Sequence, residues 1–168
     1  MKLYIISDTH GNTDKALQIY GRLNSIDLII HLGDMERDAR KIETLTGKTV
    51  ISVIGNNEIS FTKEDFRILE TEYGNLLLTH GHKQKVKHGL QNLLYRTAEL
   101  KCKAVFFGHT HFPLFTEENG IYLINPGSLT HPMDGADGSY AIANTSAGEF
   151  SASIVYYNVS AFDPIGYP

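Results

Sequence analysis

The sequence predicts an α/β fold in which two sheets pack face to face and helices cover the outside. Five short runs within the first 111 residues are continuous in apolar and β-branched residues, as in parallel strands buried on both faces. Stretches with helical spacing lie between these runs, and four further β-type runs follow without helices between them. We therefore expect parallel βαβ units first and antiparallel meander in the C-terminal third.

The five predicted parallel strands all stop at a residue that can bind a metal ion. They cover residues 3–6, 28–30, 50–54, 76–78 and 104–107. The clearer helix has its apolar and small residues on one face, at positions 90, 93, 94, 97 and 98. A weaker helix is expected after Asn12 or Thr13, either of which can cap it.

The later runs, at residues 112–115, 121–124, 140–143 and 150–157, predict the meander. Asn119-Gly120 separates the first two runs, and Asn-Gly is the strongest short-range signal for a hairpin. Residues 145–148 have the same role between the last two. The length of 168 residues indicates a single domain, 1–160, followed by a C-terminal tail, 161–168.

Composition narrows the class of protein. A net charge of -4 argues against a general nucleic-acid-binding surface, although a nucleotide in a cleft is compatible with it. The single cysteine, Cys102, fits core packing in a reducing cytosol. There is neither an apolar stretch of the roughly 20 residues that cross a membrane nor a signal peptide, so we expect a cytoplasmic protein.

Seven side chains at the strand ends predict a metal centre, because ligands gather outside the carboxyl ends of parallel strands. Two carboxylates, four imidazoles and one amide suit manganese, iron, zinc, nickel or cobalt better than calcium, and manganese is the ion we expect. Seven donors suit two ions that share a carboxylate. These residues are Asp8, His10, Asp34, Asn56, His80, His109 and His111.

Several of these positions also have an ordinary structural interpretation. Asp8 could simply cap a helix, and a lone histidine such as His31, His88 or His131 is more often a hydrogen-bonded core residue than a ligand. The joint occurrence of seven candidates favours the metal site. His109 and His111 form the strongest pair, since residues two apart in an extended chain point the same way. Glycines that directly precede candidate ligands allow close backbone approach, at positions 33, 55 and 108.

The combined motif resembles that of the calcineurin-like metallophosphoesterase superfamily, and its small size resembles the compact bacterial and archaeal phosphodiesterases of that group. The matching segments are Asp8-Thr9-His10, Gly33-Asp34, Gly55-Asn56-Asn57-Glu58, Thr79-His80-Gly81-His82 and Gly108-His109-Thr110-His111, with Asn125-Pro126-Gly127-Ser128 after them. The resemblance implies a four-layer α/β/β/α sandwich and two divalent metal ions.

The same resemblance assigns the seven side chains to two ions. Asp34 would bridge the ions, and a hydroxide between them would attack phosphorus in line. One ion would be bound by Asp8, His10 and His111, and the other by Asn56, His80 and His109.

One position departs from the superfamily pattern. Asn57 stands where a histidine is thought to protonate the leaving oxygen, and an amide cannot act as a general acid near pH 7. Asn57 and His82 are therefore the two candidate catalytic side chains beyond the metal ligands; for His82 a structural role competes equally.

The expected function is hydrolysis of a small phosphodiester, and a nucleotide-derived diester is one candidate substrate. A non-catalytic scaffold, like the retromer subunit with this fold, and a phosphomonoesterase are the alternatives. No phosphate-clamping arginine stands out, because Arg37 and Arg40 have the spacing of a solvated helix face. Only the aromatic tail, residues 162–167, hints at a homo-oligomer.

Overall fold

A computed structural model describes residues 1–56 and 65–158 of the chain. None of the helices within these ranges is long and apolar enough to cross a membrane. The strands and helices are β1 (Lys2–Ile6), α1 (Asp14–Tyr20), β2 (Leu28–His31), α2 (Glu36–Thr46), β3 (Val50–Ser52), β4 (Phe66–Glu70), β5 (Asn75–Thr79), α3 (Gln91–Glu99), β6 (Ala104–Phe107), β7 (Leu114–Glu118), β8 (Ile121–Asn125), β9 (Ser139–Ser146) and β10 (Glu149–Tyr156).

The strands form two mixed five-stranded sheets. The first has the order β10-β9-β1-β2-β3 and the second the order β4-β5-β6-β8-β7. Strands β1, β2 and β3 run parallel in one sheet, and β5, β6 and β8 run parallel in the other. Ile6 pairs with His31, and Thr79 pairs with Phe107, so neighbouring strands end level with one another. The loops that follow these strands therefore leave from the same edge of each sheet.

Three apolar clusters fill the spaces between four layers. The central cluster joins the inner faces of both sheets through residues such as Ile5, Leu78 and Phe106. A second cluster packs α1 and α2 on the outer face of the first sheet, and a third packs α3 on the outer face of the second. The predicted α/β/β/α sandwich is confirmed.

The sequence-based prediction missed two elements. Helix α2 buries only Asp38, Ala39 and Ile42, so its apolar stripe is too narrow to stand out in a charged stretch. Strand β4 is an edge strand that pairs only with β5 among the described strands, and its residues are exposed or partly buried. It therefore lacks the continuous apolar character of the buried strands.

The continuous C-terminal meander is wrong, although both predicted turns are confirmed. Strands β7 and β8 form a hairpin in the second sheet, and β9 and β10 form another in the first. Strand β8 pairs in parallel with β6, and β9 pairs antiparallel with β1. Between the hairpins the chain crosses from one sheet to the other, a step that local pattern does not reveal. The domain boundary at residue 160 and the tail lie outside the described residues.

Helix α1 begins where expected. Thr13 occupies the N-cap position without a capping hydrogen bond from its side chain. The side chain of Asn12 instead accepts a hydrogen bond from the backbone N–H of Asp14, at 3.2 Å. The polar group that satisfies the helix start is therefore one residue earlier than the formal cap.

Candidate metal centre

Four of the predicted ligands converge where the loops after β1, β2 and β6 meet. Each of the four residues offers one potential ligand atom, and these four atoms all lie within 4.8 Å of one another. The Nε2 atom of His10 is 3.3 Å from Asp34 Oδ2 and 3.2 Å from His111 Nε2. His111 Nε2 is also 3.2 Å from Asp8 Oδ1. These four residues could hold one metal ion.

The other three predicted ligands form a second group around His80. His80 Nε2 is 3.0 Å from Asn56 Oδ1 and 3.7 Å from Asp34 Oδ1. The ring of His109 packs against that of His80, with centroids 5.0 Å apart. The two oxygens of the buried Asp34 carboxylate therefore face two different groups of donors, His10 on one side and His80 on the other.

Hydrogen bonds to the backbone orient two of the imidazoles. His80 Nδ1 lies 2.8 Å from the carbonyl oxygen of Leu32, and His111 Nδ1 lies 2.9 Å from that of His131. Since only an N–H can donate to a carbonyl, the neutral ring in each case has its lone pair on Nε2, which faces the cluster. In metalloproteins, such contacts fix the tautomer of a ligating histidine.

A proton or a metal ion is needed between His111 and Asp8. In neutral His111 the Nε2 lone pair faces a carboxylate oxygen of Asp8, and two acceptors repel unless one of these lies between them. His80 Nε2 faces the amide oxygen of Asn56 in the same way. The donor set, which is rich in imidazole and carboxylate, suits a divalent transition-metal ion. The residues present thus fit a metal centre.

The pKa values reflect this crowding of titratable groups. Burial favours the neutral form of Asp8, but hydrogen bonds from His111 and Ser7 and the charge of His80 outweigh it and lower the Asp8 pKa to about 2. The hydrogen bond with Asp8 raises the pKa of His111. Burial, assisted by the charges of His80 and Lys87, lowers the pKa of His109 to about 4, so this ring is neutral and able to ligate at pH 7.

The backbone at these positions adopts an uncommon conformation. Among the described residues, nine that are not glycine have positive φ, and five of the nine are predicted ligands. Strained backbone of this kind clusters at functional sites. The expectation that His109 and His111 lie in an extended chain is wrong, because both are left-handed. The five are Asp8 (φ 55°), His10 (47°), Asp34 (89°), His109 (68°) and His111 (59°).

Two glycines allow the loops to approach one another. A Cβ atom on Gly108 would collide with Ser7 Oγ and lie 2.8 Å from Asp8 Oδ2. A Cβ atom on Gly55 would collide with the backbone of Asp34. Close approach to a neighbouring loop, and not positive φ, explains glycine at both positions. The sequence-based expectation was close approach to a cofactor, which stays a prediction.

A buried polar network behind the cluster was not predicted. Gly33 donates its N–H to His31 Nδ1 at 3.3 Å, so the Nε2–H of His31 donates to Thr9 Oγ1 at 2.9 Å. Thr9 in turn donates to Asp38 Oδ2 at 2.6 Å, and the N–H of Gly11 donates to the same oxygen at 2.7 Å. The network joins the loop that carries Asp8 and His10 to helix α2. The only sequence signal for it is a polar histidine directly after the apolar run of β2.

The three histidines assigned to the core have different environments. His31 is fully buried and hydrogen-bonded, as expected. His88 and His131 are exposed, so the core assignment is wrong for both. The ring of His131 packs edge-on against His10, with centroids 4.9 Å apart. The backbone carbonyl of His131 also accepts the hydrogen bond that orients His111.

Of the two candidate catalytic residues, Asn57 lies outside the described residues. His82 is partly buried, with its ring centroid 5.4 Å from that of His80 and 6.1 Å from that of His109. Its Nδ1 atom is buried and has no hydrogen-bond partner within the described ranges. Burial is the main reason that the pKa of His82 is lowered.

Known proteins share both the sequence pattern and the fold. The profile of the calcineurin-like phosphoesterase superfamily domain matches residues 1–148. A probable metallophosphoesterase from Bacillus subtilis is 35% identical over 143 residues, which cover 84% of this chain and 83% of the relative. A phosphodiesterase from Methanocaldococcus jannaschii is 31% identical over 155 residues, covering 80% and 88% of the two chains.

A solved structure has the same fold. The predicted phosphoesterase from Streptococcus pneumoniae superimposes with a TM-score of 0.77 at 23% identity, covering 92% of this chain and 88% of the other. At this identity the likeness concerns the fold alone. Together with the profile match, it agrees with the resemblance found in the motifs.

Proposed function

The chain belongs to the calcineurin-like phosphoesterase superfamily, and from this membership we propose that it is a phosphodiesterase dependent on a dinuclear metal centre. The observation that carries the proposal is the position of Asp34. Each of its two carboxylate oxygens lies close to a different histidine, Oδ2 at 3.3 Å from His10 and Oδ1 at 3.7 Å from His80, as expected of a bridging ligand. A site for one metal ion would not need a separate imidazole next to each oxygen.

The seven predicted ligands divide into two groups around Asp34. We propose two Mn²⁺ ions, with Ni²⁺, Co²⁺, Fe²⁺ or Zn²⁺ as alternatives. Bound metal ions would polarise phosphoryl oxygens and lower the pKa of water. One group is Asp8, His10 and His111, and the other is Asn56, His80 and His109.

Residues of the chain orient the side chains that would bind the metal ions. The carbonyls of Leu32 and His131 fix which nitrogen of His80 and of His111 faces the centre. Two divalent ions bring four positive charges, of which Asp8 and Asp34 neutralise two. The site would therefore remain cationic and attract a phosphodiester anion.

We propose that His82 donates a proton to the leaving group. The alternative is that Asn57 donates a hydrogen bond to it. The His82 ring lies beside two of the predicted ligands, with its centroid 5.4 Å from that of His80 and 6.1 Å from that of His109. Because burial lowers its pKa, His82 is mostly neutral at pH 7 and would be a modest proton donor. We therefore expect better activity on diesters with acidic leaving groups.

The relatives support a diester substrate, since the Methanocaldococcus jannaschii protein bears the name phosphodiesterase. We propose a small, nucleotide-derived diester and a cytoplasmic location. A phosphomonoesterase would use the same centre and differ in how it treats the second substituent. A non-catalytic scaffold has no particular observation in its favour, because the four-residue cluster that could hold a metal is intact.

The test is hydrolysis of bis(p-nitrophenyl) phosphate and of p-nitrophenyl phosphate by the purified protein, with each divalent metal added in turn. We expect metal-dependent hydrolysis that favours the diester, complete loss after chelation, and recovery on adding metal back. Faster hydrolysis of the monoester would indicate the phosphomonoesterase. Equal rates before and after exhaustive chelation would refute a metal-dependent enzyme.

A further inference from the structure

A cavity of about 350 Å³ opens directly beside two of the predicted metal ligands. Its lining consists of Lys87, His109, Thr110, His111 and Met133. The volume is within the range of small-molecule pockets, about 300–1,000 Å³. If a substrate phosphate binds at the metal centre, one of the substituents on its phosphorus atom would therefore lie next to this cavity.

One wall of the cavity is apolar although it faces solvent. Met133 lines the cavity and is 69% exposed. The N–H of Met133 donates to the carbonyl of His111 at 3.2 Å, which ties the backbone of Met133 to the loop that carries two predicted ligands. The cavity thus presents a flexible apolar side chain next to the metal centre, and a bound apolar group would cover it.

The other wall carries a positive charge. Lys87 is exposed and has no acidic partner among the described residues, whereas Lys83 in the same turn pairs with Asp65 at 3.5 Å. Lys87 lines the same cavity as His109 and His111, so its ammonium group lies on the side of the cavity that faces the predicted metal ligands.

We propose that this cavity binds the substituent that the diester keeps, that this substituent is an aromatic ring, and that Lys87 interacts with the phosphoryl anion. A ring is favoured because the thioether of Met133 makes good contacts with aromatic groups. The proposal rests on the proposed phosphodiesterase function and adds the substrate class: aryl or nucleobase-bearing diesters over alkyl diesters.

Two diesters with the same leaving group test the apolar wall. Phenyl p-nitrophenyl phosphate and methyl p-nitrophenyl phosphate differ only in the retained substituent. We expect the metal-loaded protein to show a higher kcat/KM for the phenyl compound, and Met133→Ser to reduce this preference by roughly 5- to 20-fold, as for lost apolar contacts in a pocket. Leu45→Ser, at a 61% exposed position on α2, is the matched control and should leave the ratio unchanged.

A pair of lysine variants tests the charge. Lys87→Gln should raise KM for both diesters by a similar factor and keep their ratio, because both carry the same phosphoryl charge. Lys85→Gln removes the same charge from the same turn at an exposed position that does not line the cavity, and should change KM little. Equal effects of the two variants would show that Lys87 contributes only general charge.

Equilibrium binding separates failure of the subsite from failure of the proposed enzyme. Phenylphosphonate and methylphosphonate are compared by calorimetry on metal-loaded wild type and Met133→Ser. Tighter binding of phenylphosphonate that depends on Met133 supports the subsite even if no diester is hydrolysed. Equal affinity for the two phosphonates, or a preference that survives in Met133→Ser, overturns it.

Discussion

Acid should destabilise the metal-free protein through His31, the buried histidine behind the predicted metal ligands. Burial lowers the pKa of this ring from 6.5 to about 4, and the negative charges of Asp38 and Asp8 offset only part of the effect. In the unfolded chain the imidazole titrates near its ordinary value, about 6.5. Between these two values the unfolded state binds a proton that the folded state does not, so the free energy of unfolding falls as the pH falls.

The size of the effect follows from the two pKa values. One pKa unit corresponds to about 1.4 kcal/mol, so the interval from 6.5 to about 4 limits the loss to about 3 kcal/mol. About 2 kcal/mol of this should be lost between pH 8 and pH 5. That is a large share of the roughly 5–15 kcal/mol by which a typical domain is stable.

The assay is denaturant unfolding of wild type and His31→Asn at pH 8 and pH 5, with chelator present because bound metal would change histidine titration. The asparagine oxygen can accept the N–H of Gly33 as Nδ1 does, but the amide does not titrate. At pH 8 the variant should be less stable, by about 1–3 kcal/mol, because it loses the contact with Thr9 and leaves space.

By pH 5 this difference should narrow by about 2 kcal/mol, because the variant lacks the buried imidazole at position 31, whereas the other histidines are common to both proteins. His88→Asn, at an exposed position, controls for the loss of a histidine as such. A stability difference between wild type and His31→Asn that stays constant from pH 8 to pH 5 would refute the reasoning.

Three further predictions concern the site itself. Asp34→Ala should lose more metal per chain than His10→Ala, because Asp34 faces both donor groups; full occupancy by two metals in the Asp34 variant would disprove bridging. Gly108→Ala should lower the free energy of unfolding by about 1–3 kcal/mol through its clash with Ser7, whereas Gly21→Ala, where a Cβ meets nothing closer than 3.6 Å, should be nearly neutral in the same denaturation experiment. Asn57→His should raise rates on diesters with poor leaving groups by up to about 10²-fold, and parallel plots of log rate against leaving-group pKa for wild type and variant would exclude position 57 as an acid site.

The sequence predicted those parts of the molecule that depend on local pattern. All five predicted parallel strands are present, as are helix α3 and the hairpin at Asn119-Gly120. The prediction that all five are buried is wrong for β3, which is a partly buried edge strand. Strand ends that are level in the first sheet explain why Asp8 and Asp34 could be expected to meet. His80 follows β5 of the second sheet and meets them because the two sheets pack face to face.

What the sequence did not predict depends on contacts between distant segments. The assignment of the last two hairpins to different sheets follows from pairing with β6 and β1, which no local signal encodes. The bond from Thr9 to Asp38 joins residues 29 positions apart, on a loop and on a helix whose apolar stripe is narrow. The left-handed backbone of His109 and His111 opposes the usual preference of the residue type, so propensity alone predicts the wrong conformation there.

The left-handed backbone at five predicted ligands makes the site costly to the fold. A left-handed residue other than glycine costs about 1–2 kcal/mol relative to an ordinary conformation, so the five together approach the net stability of a typical domain. Glycine would relieve this cost at any of them but would remove the candidate ligand. Each of these positions therefore exchanges backbone stability for a side chain that can bind a metal ion.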